Sequence, residues 1–337
     1  MRYPKFLNTN NNVLLIAPSF GCTTEPYKSR LIKAFDVLKD NNLNPTYGEN
    51  AFNAVGGRSN TAINCAKEFE NGYKDIYQLL LSVGGGFIEN EILDYLNFDE
   101  LKTLEPKWFM GYSDNTNLTF TLTTLCDIAS IYGYNAPEFG TDDLHKSHLD
   151  VLEFLKGEKF EFEGYDKFEL ESEKTEENPL VGYNLTHKKI LTKLPNEKFE
   201  FEGRMLGGCI DCLTYLIKTP FDKVDEFNER YKNDGVIWFL EACDLEAWNL
   251  RLALLQMKRC GWFNNAKGFI FGRSQKMDNE FFDINMHNAI TEVLKDLSVP
   301  IVLDCDFGHL KPQIPMISGA YAHVDVDSNI KIKYELK

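Results

Sequence analysis

Short apolar runs alternate along the first third of the chain with stretches whose apolar residues recur at helical spacing. VLLIA (13–17), closed by Pro18 and Gly21, reads as a buried parallel strand. Residues 26–41 follow as a helix, with Leu31, Ala34, Phe35 and Leu38 on one stripe, and 61–71 as another. IYQLLLSV (76–83) is a second buried strand, ended by Gly84, Gly85 and Gly86, with helical text through Leu93 and Tyr95. KWFMGYS (107–113) is a third strand, and a helix starts near Asp114. Strands alternating with helices imply a parallel sheet covered on both faces, an α/β fold.

The pattern changes between about 150 and 200. FEFEGYDKFELESEKTEENP is strongly charged with strand-like alternation, and FEFEG recurs at 160–164 and 199–203. Two five-residue copies are too short for an architectural repeat. Short strands and a linker are expected there. GVIWFLE (235–241), a helix over 246–260, KGFIFGR (267–273), a helix over 281–297 and PIVLDCDF (300–307) restore the α/β rhythm. The last stretch, YAHVDVDSNIKIKYEL, alternates around a polar turn and reads as a hairpin. The expected division is an N-terminal parallel-sheet domain (1–160), a linker (161–195) and a C-terminal α/β domain with a mixed sheet (196–337).

Composition narrows the classes. Of 337 residues, 43% are apolar and 13% aromatic, enough for sizeable cores, and the net charge is −15. An acidic surface repels phosphate backbones and anionic membranes, so neither nucleic acid nor membrane is expected as a partner. No apolar run approaches the roughly 20 residues of a membrane-spanning helix, and the first twelve residues lack an apolar signal core. A cytoplasmic location is the expectation. Eight scattered cysteines suit reduced thiols, and Cys209 and Cys212 form a lone C-x-x-C without the second pair or the histidines that zinc needs.

The sharpest local signal is Gly111-Tyr112-Ser113-Asp114-Asn115, where an apolar strand meets a helix start. A serine at such a turn projects from the carboxyl end of the sheet beside free helix N–H groups, the logic of a nucleophile elbow. Asn115 stands where G-x-S-x-G has its second glycine, so Ser113 reads either as a helix cap or as a nucleophile. Of six histidines, only His309 follows an apolar strand and a glycine. His145 and His148 lie in a polar stretch and read as solvated. Glu241 ends GVIWFLE, where a carboxylate is costly unless paired; an ion pair or cap is the plain alternative. Nucleophile, base and orienting carboxylate are the residue types of a hydrolytic triad. Gly84–Gly86 read either as a flexible turn or as backbone donors to an oxyanion.

These segments resemble the LD-carboxypeptidase family of serine peptidases, which includes the microcin C self-immunity peptidases. Ala-Pro-Ser (17–19), SVGGGF (82–87), GYSDNT (111–116), LGGCIDCL (206–213), the stretch 239–273 and DFGHLKPQIPMISGAYAHVDVD (306–327) carry the likeness, in order and spacing, across nearly the whole chain. The resemblance implies a triad of Ser113, Glu241 and His309. It implies an oxyanion hole from the backbone of Gly85 and Asp114, an active site between two domains, no cofactor, and a homodimer. Cys209 stands where the family commonly has asparagine, which bears on substrate contacts.

The implied substrate is a murein peptide cut before its terminal D-amino acid. The alternative is a peptidyl or aminoacyl nucleotide, which needs an aromatic platform for its base. Segment 165–195 offers Tyr183 and no tryptophan, which favours the murein peptide; the chain's length and charged linker favour the nucleotide. A rival of another class is a non-catalytic small-molecule binding module in which Ser113 and the glycines grip an anion.

Overall fold

The computed structural model describes residues 1–277 and 280–337. The chain begins β1 (Asn12–Ile16), α1 (Tyr27–Asp40), β2 (Asn44–Tyr47), α2 (Ala62–Lys74), β3 (Leu79–Ser82), α3 (Phe98–Leu101), β4 (Trp108–Gly111), α4 (Thr116–Cys126), β5 (Ser130–Tyr132) and α5 (Lys146–Leu155). Short strands β6 (Glu161–Glu163), β7 (Lys167–Phe168), β8 (His187–Lys188) and β9 (Thr192–Leu194) come next. Then follow β10 (Phe199–Cys209), α6 (Ile210–Leu213), α7 (Val224–Arg230), β11 (Val236–Glu241), α8 (Ala247–Arg259) and β12 (Ala266–Gly272). The end comprises β13 (Glu280–Phe281), β14 (Ile284–Asn285), α9 (Met286–Leu294), β15 (Ile301–Cys305), β16 (Met316–Ser318), β17 (Tyr321–Val326) and β18 (Ile330–Glu335).

Among the described residues these strands build two large sheets. One has the order β16-β5-β4-β3-β1-β2, parallel except for β16. The other has the order β6-β18-β17-β10-β11-β12-β15-β9, with a parallel centre of β10, β11, β12 and β15 and antiparallel flanks. The apolar runs fall where the alternation places them, because β1, β3, β4 and β11 are buried on both faces. The fold is thus α/β, with a parallel sheet in the N-terminal part and a mixed sheet in the C-terminal part.

Several elements escaped the pattern. β2 reads NPTY, a polar edge strand, and β5 has three residues. The stretch around His145 is no solvated loop. His145 and His148 form a reciprocal capping box at the start of α5, and His148 is buried. The helix expected over 281–297 begins only at Met286. Before it, Phe282 and Asp283 take positive φ in the β13–β14 turn, and the Asn285 side chain caps α9. The charged segment supplies β6 and β9 as the two outer strands of the mixed sheet, and β6, with Phe162 buried between exposed Glu161 and Glu163, shows the alternation of an edge strand with one face wet.

Two features bind the layers. β16 follows the strand-end loop of the mixed sheet, yet pairs with β5 of the parallel one, so the chain crosses from one sheet to the other between 306 and 316. Arg30, buried on α1, donates to the carbonyls of Pro137 (3.0 Å), Pro179 (2.9 Å), Val181 (3.1 Å) and Glu138 (3.5 Å). It thereby ties the parallel sheet to the loop after β5 and to the charged segment. Arg30→Met keeps the apolar stem and removes these donors, leaving buried carbonyls unpaired. The expected cost is about 3 kcal/mol of unfolding free energy, read from denaturant titration.

Candidate active site

Nothing larger than glycine fits at Gly111, where β4 ends: a Cβ there would lie 2.8 Å from Asn115 and 2.9 Å from Ser82. Two residues later Ser113 adopts φ 66°, the left-handed region that a non-glycine residue enters only when its surroundings hold it. They do. The Ser113 N–H donates to the Tyr132 hydroxyl (3.1 Å), and Thr116 Oγ1 donates to the Ser113 carbonyl (2.7 Å). Ser113 is not a helix cap. Nor do its neighbours cap α4: Asn115 donates to the carbonyls of Gly84 and Tyr112, both at 3.0 Å. Asp114 instead accepts from Ser19 Oγ (2.7 Å) and the Glu89 N–H (2.8 Å), latching the glycine turn to the serine loop.

The structure brings Ser113, His309 and Glu241 together. Ser113 Oγ lies 3.0 Å from His309 Nε2, and His309 Nδ1 lies 3.0 Å from Glu241 Oε2. An ionised carboxylate only accepts, so Nδ1 carries the proton and Nε2 is left free to accept from the serine hydroxyl. Glu241 ends β11 and is 1% exposed. Burial pushes its carboxyl up, but His309 and the hydrogen bonds from His309 and Tyr132 outweigh that and hold it below the ordinary range. Glycines sheathe it: a Cβ at Gly308, where φ is 95°, would lie 2.9 Å from Glu241 Oε2, and one at Gly272 would lie 2.9 Å from its Cβ.

Tyr132 was not anticipated. Its hydroxyl donates to Glu241 Oε1 (2.5 Å) while accepting from the Ser113 N–H, so one phenol joins the nucleophile's backbone to the carboxylate. Burial raises its pKa well above the usual value, which keeps it a donor. The only sequence signal was a tyrosine ending a short apolar strand. The other nearby carboxylates are engaged elsewhere: Asp304 faces His287 (3.0 Å) and Thr192 (2.9 Å), and Asp306 pairs with Arg273 (2.8 Å).

A cleft of about 730 Å³ opens over the serine, lined by Gly84–Gly86, Phe87, Tyr112, Ser113, Cys243 and His309, among others. Gly85 is held against the nucleophile, since a Cβ on it would stand 2.9 Å from Ser113 Cβ and 3.0 Å from Oγ. Its N–H has no acceptor among the described residues. Cys209 is buried behind this site; its N–H donates to Thr116 Oγ1 (2.9 Å), while Cys212 lies 3.7 Å from the Ser113 carbonyl. Tyr183 is no exposed platform: it packs on His148 and lies 2.7 Å from its Nε2. Among the described residues no three His, Cys, Asp or Glu side chains gather as metal ligands, and no helix is long and apolar enough to cross a membrane.

Residues 13–133 match the LD-carboxypeptidase N-terminal domain, and residues 202–324 match the LD-carboxypeptidase C-terminal domain. The chain belongs to the LD-carboxypeptidase family. Membership makes it a serine-type peptidase, a hydrolase. A protein of Treponema pallidum (strain Nichols) named as a carboxypeptidase is 23% identical over 95% of this chain and 91% of its own. Another, from Streptomyces coelicolor, is 24% identical over 96% and 94%. Among solved structures, the MccF-like protein of Bacillus anthracis str. Ames superposes with TM-score 0.81 at 20% identity, over 99% of this chain and 100% of that one. The microcin C7 self-immunity protein MccF in complex with aspartyl sulfamoyl adenosine gives 0.82 at 20% identity, over 100% and 99%. The MccF-like protein of Streptococcus pneumoniae in complex with AMP gives 0.80 at 22% identity, over 97% and 99%.

For this family member the state of Glu241 bears on stability as well as chemistry. Its folded pKa lies below its unfolded value, so its ionised form contributes stability that is full above about pH 4.3 and fades as pH falls through the folded value. Glu241→Gln should flatten the acid side of the curve of melting midpoint against pH. An acid limb as steep as the wild-type's would show that Glu241 is not the titrating partner.

Proposed function

We propose that this peptidase cleaves the amide bond joining an L-centre to a terminal D-amino acid, as in a murein peptide, through an acyl-enzyme on Ser113. The observation that carries the proposal is the continuous relay of two 3.0 Å contacts from Ser113 Oγ through His309 to Glu241. Ser113 Oγ attacks the carbonyl carbon as His309 Nε2 takes its proton, and ionised Glu241 stabilises the imidazolium. The oxyanion faces the backbone N–H groups of Gly85 and Asp114. As the tetrahedral adduct collapses, the C–N bond breaks and His309 returns the proton to the departing amine. Water then adds to the ester by the same route, releasing the acid and restoring the serine.

The same proposal places the nucleophile in an N-terminal domain (1–160) and the base and glutamate in a C-terminal domain (196–337), with 161–195 between them. The two family matches support that division. A homodimer, on the family resemblance alone, and a cytoplasmic location complete it.

A second substrate, a peptidyl or aminoacyl nucleotide, has one observation in its favour. The cleft carries Phe87 at 75% exposure, edge-on to Phe20, with half-exposed Tyr27 also in its lining. Exposed rings stack on bases, and relatives of this fold are named in complex with AMP and with sulfamoyl adenosine.

Incubation with a tetrapeptide ending in D-alanine and, separately, with an aminoacyl sulfamoyl adenosine, followed by mass spectrometry, separates the two. Release of D-alanine is expected, and Ser113→Ala should abolish it without lowering the melting midpoint. Glu241→Gln should lower kcat by up to about 10⁴-fold, through loss of charge and of the correct tautomer. Wild-type turnover by Ser113→Ala would remove Ser113 from the chemistry. Consumption of the nucleotide alone would replace the peptide substrate.

A further inference from the structure

A carboxypeptidase must recognise a free carboxylate one residue beyond the bond it cuts, and a cation close to its base is one means of holding it. Beyond His309 a second cavity of about 390 Å³ adjoins the cleft, sharing Tyr27, Tyr112, Glu138 and His309 with it. Among the described residues lining the two cavities, the lysines and arginines are Arg58, Lys174 and Lys311. Arg58 already forms an ion pair with Glu91. Lys174 and Lys311 line the second cavity together.

Their arrangement is incomplete. Lys311 Nζ is buried, has no hydrogen-bond partner, and sits 3.9 Å from the centre of the Tyr112 ring. It stands 3.8 Å from Glu138 Oε1, and Lys174 Nζ stands 3.8 Å from Glu138 Oε2, an oxygen that is itself without a hydrogen bond. The two ammonium groups therefore share one carboxylate at a distance too long for hydrogen bonds. The remaining acid in the wall, Glu169, accepts the Asn184 N–H at 2.7 Å. A buried ammonium that has a carboxylate at 3.8 Å but no hydrogen bond is incompletely compensated, and a further carboxylate held between the lysines would complete it. A substrate ammonium would meet two positive charges instead.

We infer that this cavity is the subsite for the carboxylate of the departing C-terminal residue, with Lys311 and Lys174 as its specificity-determining pair. The inference rests on the carboxypeptidase proposal for its orientation. Lys311 is held two residues from His309 by the same loop, and its carbonyl accepts the Glu169 N–H (2.8 Å). Glu169, Leu170, Ser172 and Lys174 come from the charged segment, which lies between the two family matches. That segment thus supplies one wall of the subsite and one of its two cations.

The test is binding to the inactive Ser113→Ala protein, by calorimetry, of L-Ala-γ-D-Glu-L-Lys-D-Ala and of the same peptide as its C-terminal carboxamide. The carboxylate should bind at least about tenfold more tightly, as a charge-assisted hydrogen bond implies. Adding Lys174→Met or Lys311→Met should bring the ratio of the two affinities towards one. Should Lys311→Met fail to fold, judged by its thermal midpoint, Lys174→Met decides alone. Equal affinity for the two peptides, no binding of either, or a ratio undiminished in the folded variants would overturn the subsite. Turnover by wild-type protein is read separately. A peptide bound with lysine-dependent preference but never cleaved would sink the peptidase proposal and leave the subsite standing.

Discussion

The site is organised around a buried carboxylate that must find partners. Glu241 closes β11 at 1% exposure, where an unpaired charge would be expelled or neutralised. Its two oxygens are claimed from opposite sides, one by the Tyr132 hydroxyl of the parallel sheet and the other by His309 in the loop after β15. Satisfying one carboxylate therefore fixes the spacing of two sheets. Because Tyr132 also accepts the Ser113 N–H, the same requirement sets the height of the serine loop.

The remaining architecture serves that junction. The crossing of the chain from β15 to β16 strings His309 between the sheets, and the Ile314 N–H closes the loop on the Asp306 carbonyl at 2.6 Å. Asp306 is itself held by Arg273 and accepts the Tyr165 N–H (2.7 Å), so the charged segment is fastened to the same loop. Where β10 meets α4, a Cβ on Gly208 would stand 2.6 Å from Thr116 Cγ2, which explains a glycine at the point of closest approach. A nucleophile held at φ 66° needs such support from several directions.

Much of this was legible in the sequence for a simple reason. Ser113, Glu241 and His309 each follow a short apolar run whose length and flanking turn residues mark it as a strand, and strand ends in α/β sheets are where side chains converge. Tyr132 was not legible, because a tyrosine closing a three-residue strand looks like core until its hydroxyl partners are known. The Glu138–Lys174–Lys311 cluster was hidden for a different reason: its members lie 36 and 137 positions apart along the chain, and pattern reading does not sense pairing at such range. Edge strand β2 and the late start of α9 were lost to local chemistry, a polar NPTY strand in one case and a two-residue turn in the other.

The account's central claim is that Ser113 becomes covalently bonded to substrate because His309 and Glu241 are already aligned behind it. The most direct measurement is the intact mass of the protein, acid-quenched within milliseconds of mixing with a D-alanine-terminated peptide, followed by peptide mapping. The account predicts one transient adduct, equal to the peptide's acyl portion and located on Ser113, formed before D-alanine release reaches its steady rate. D-alanine released with no adduct on Ser113, or with an adduct on Cys243 in the same cleft, would contradict it.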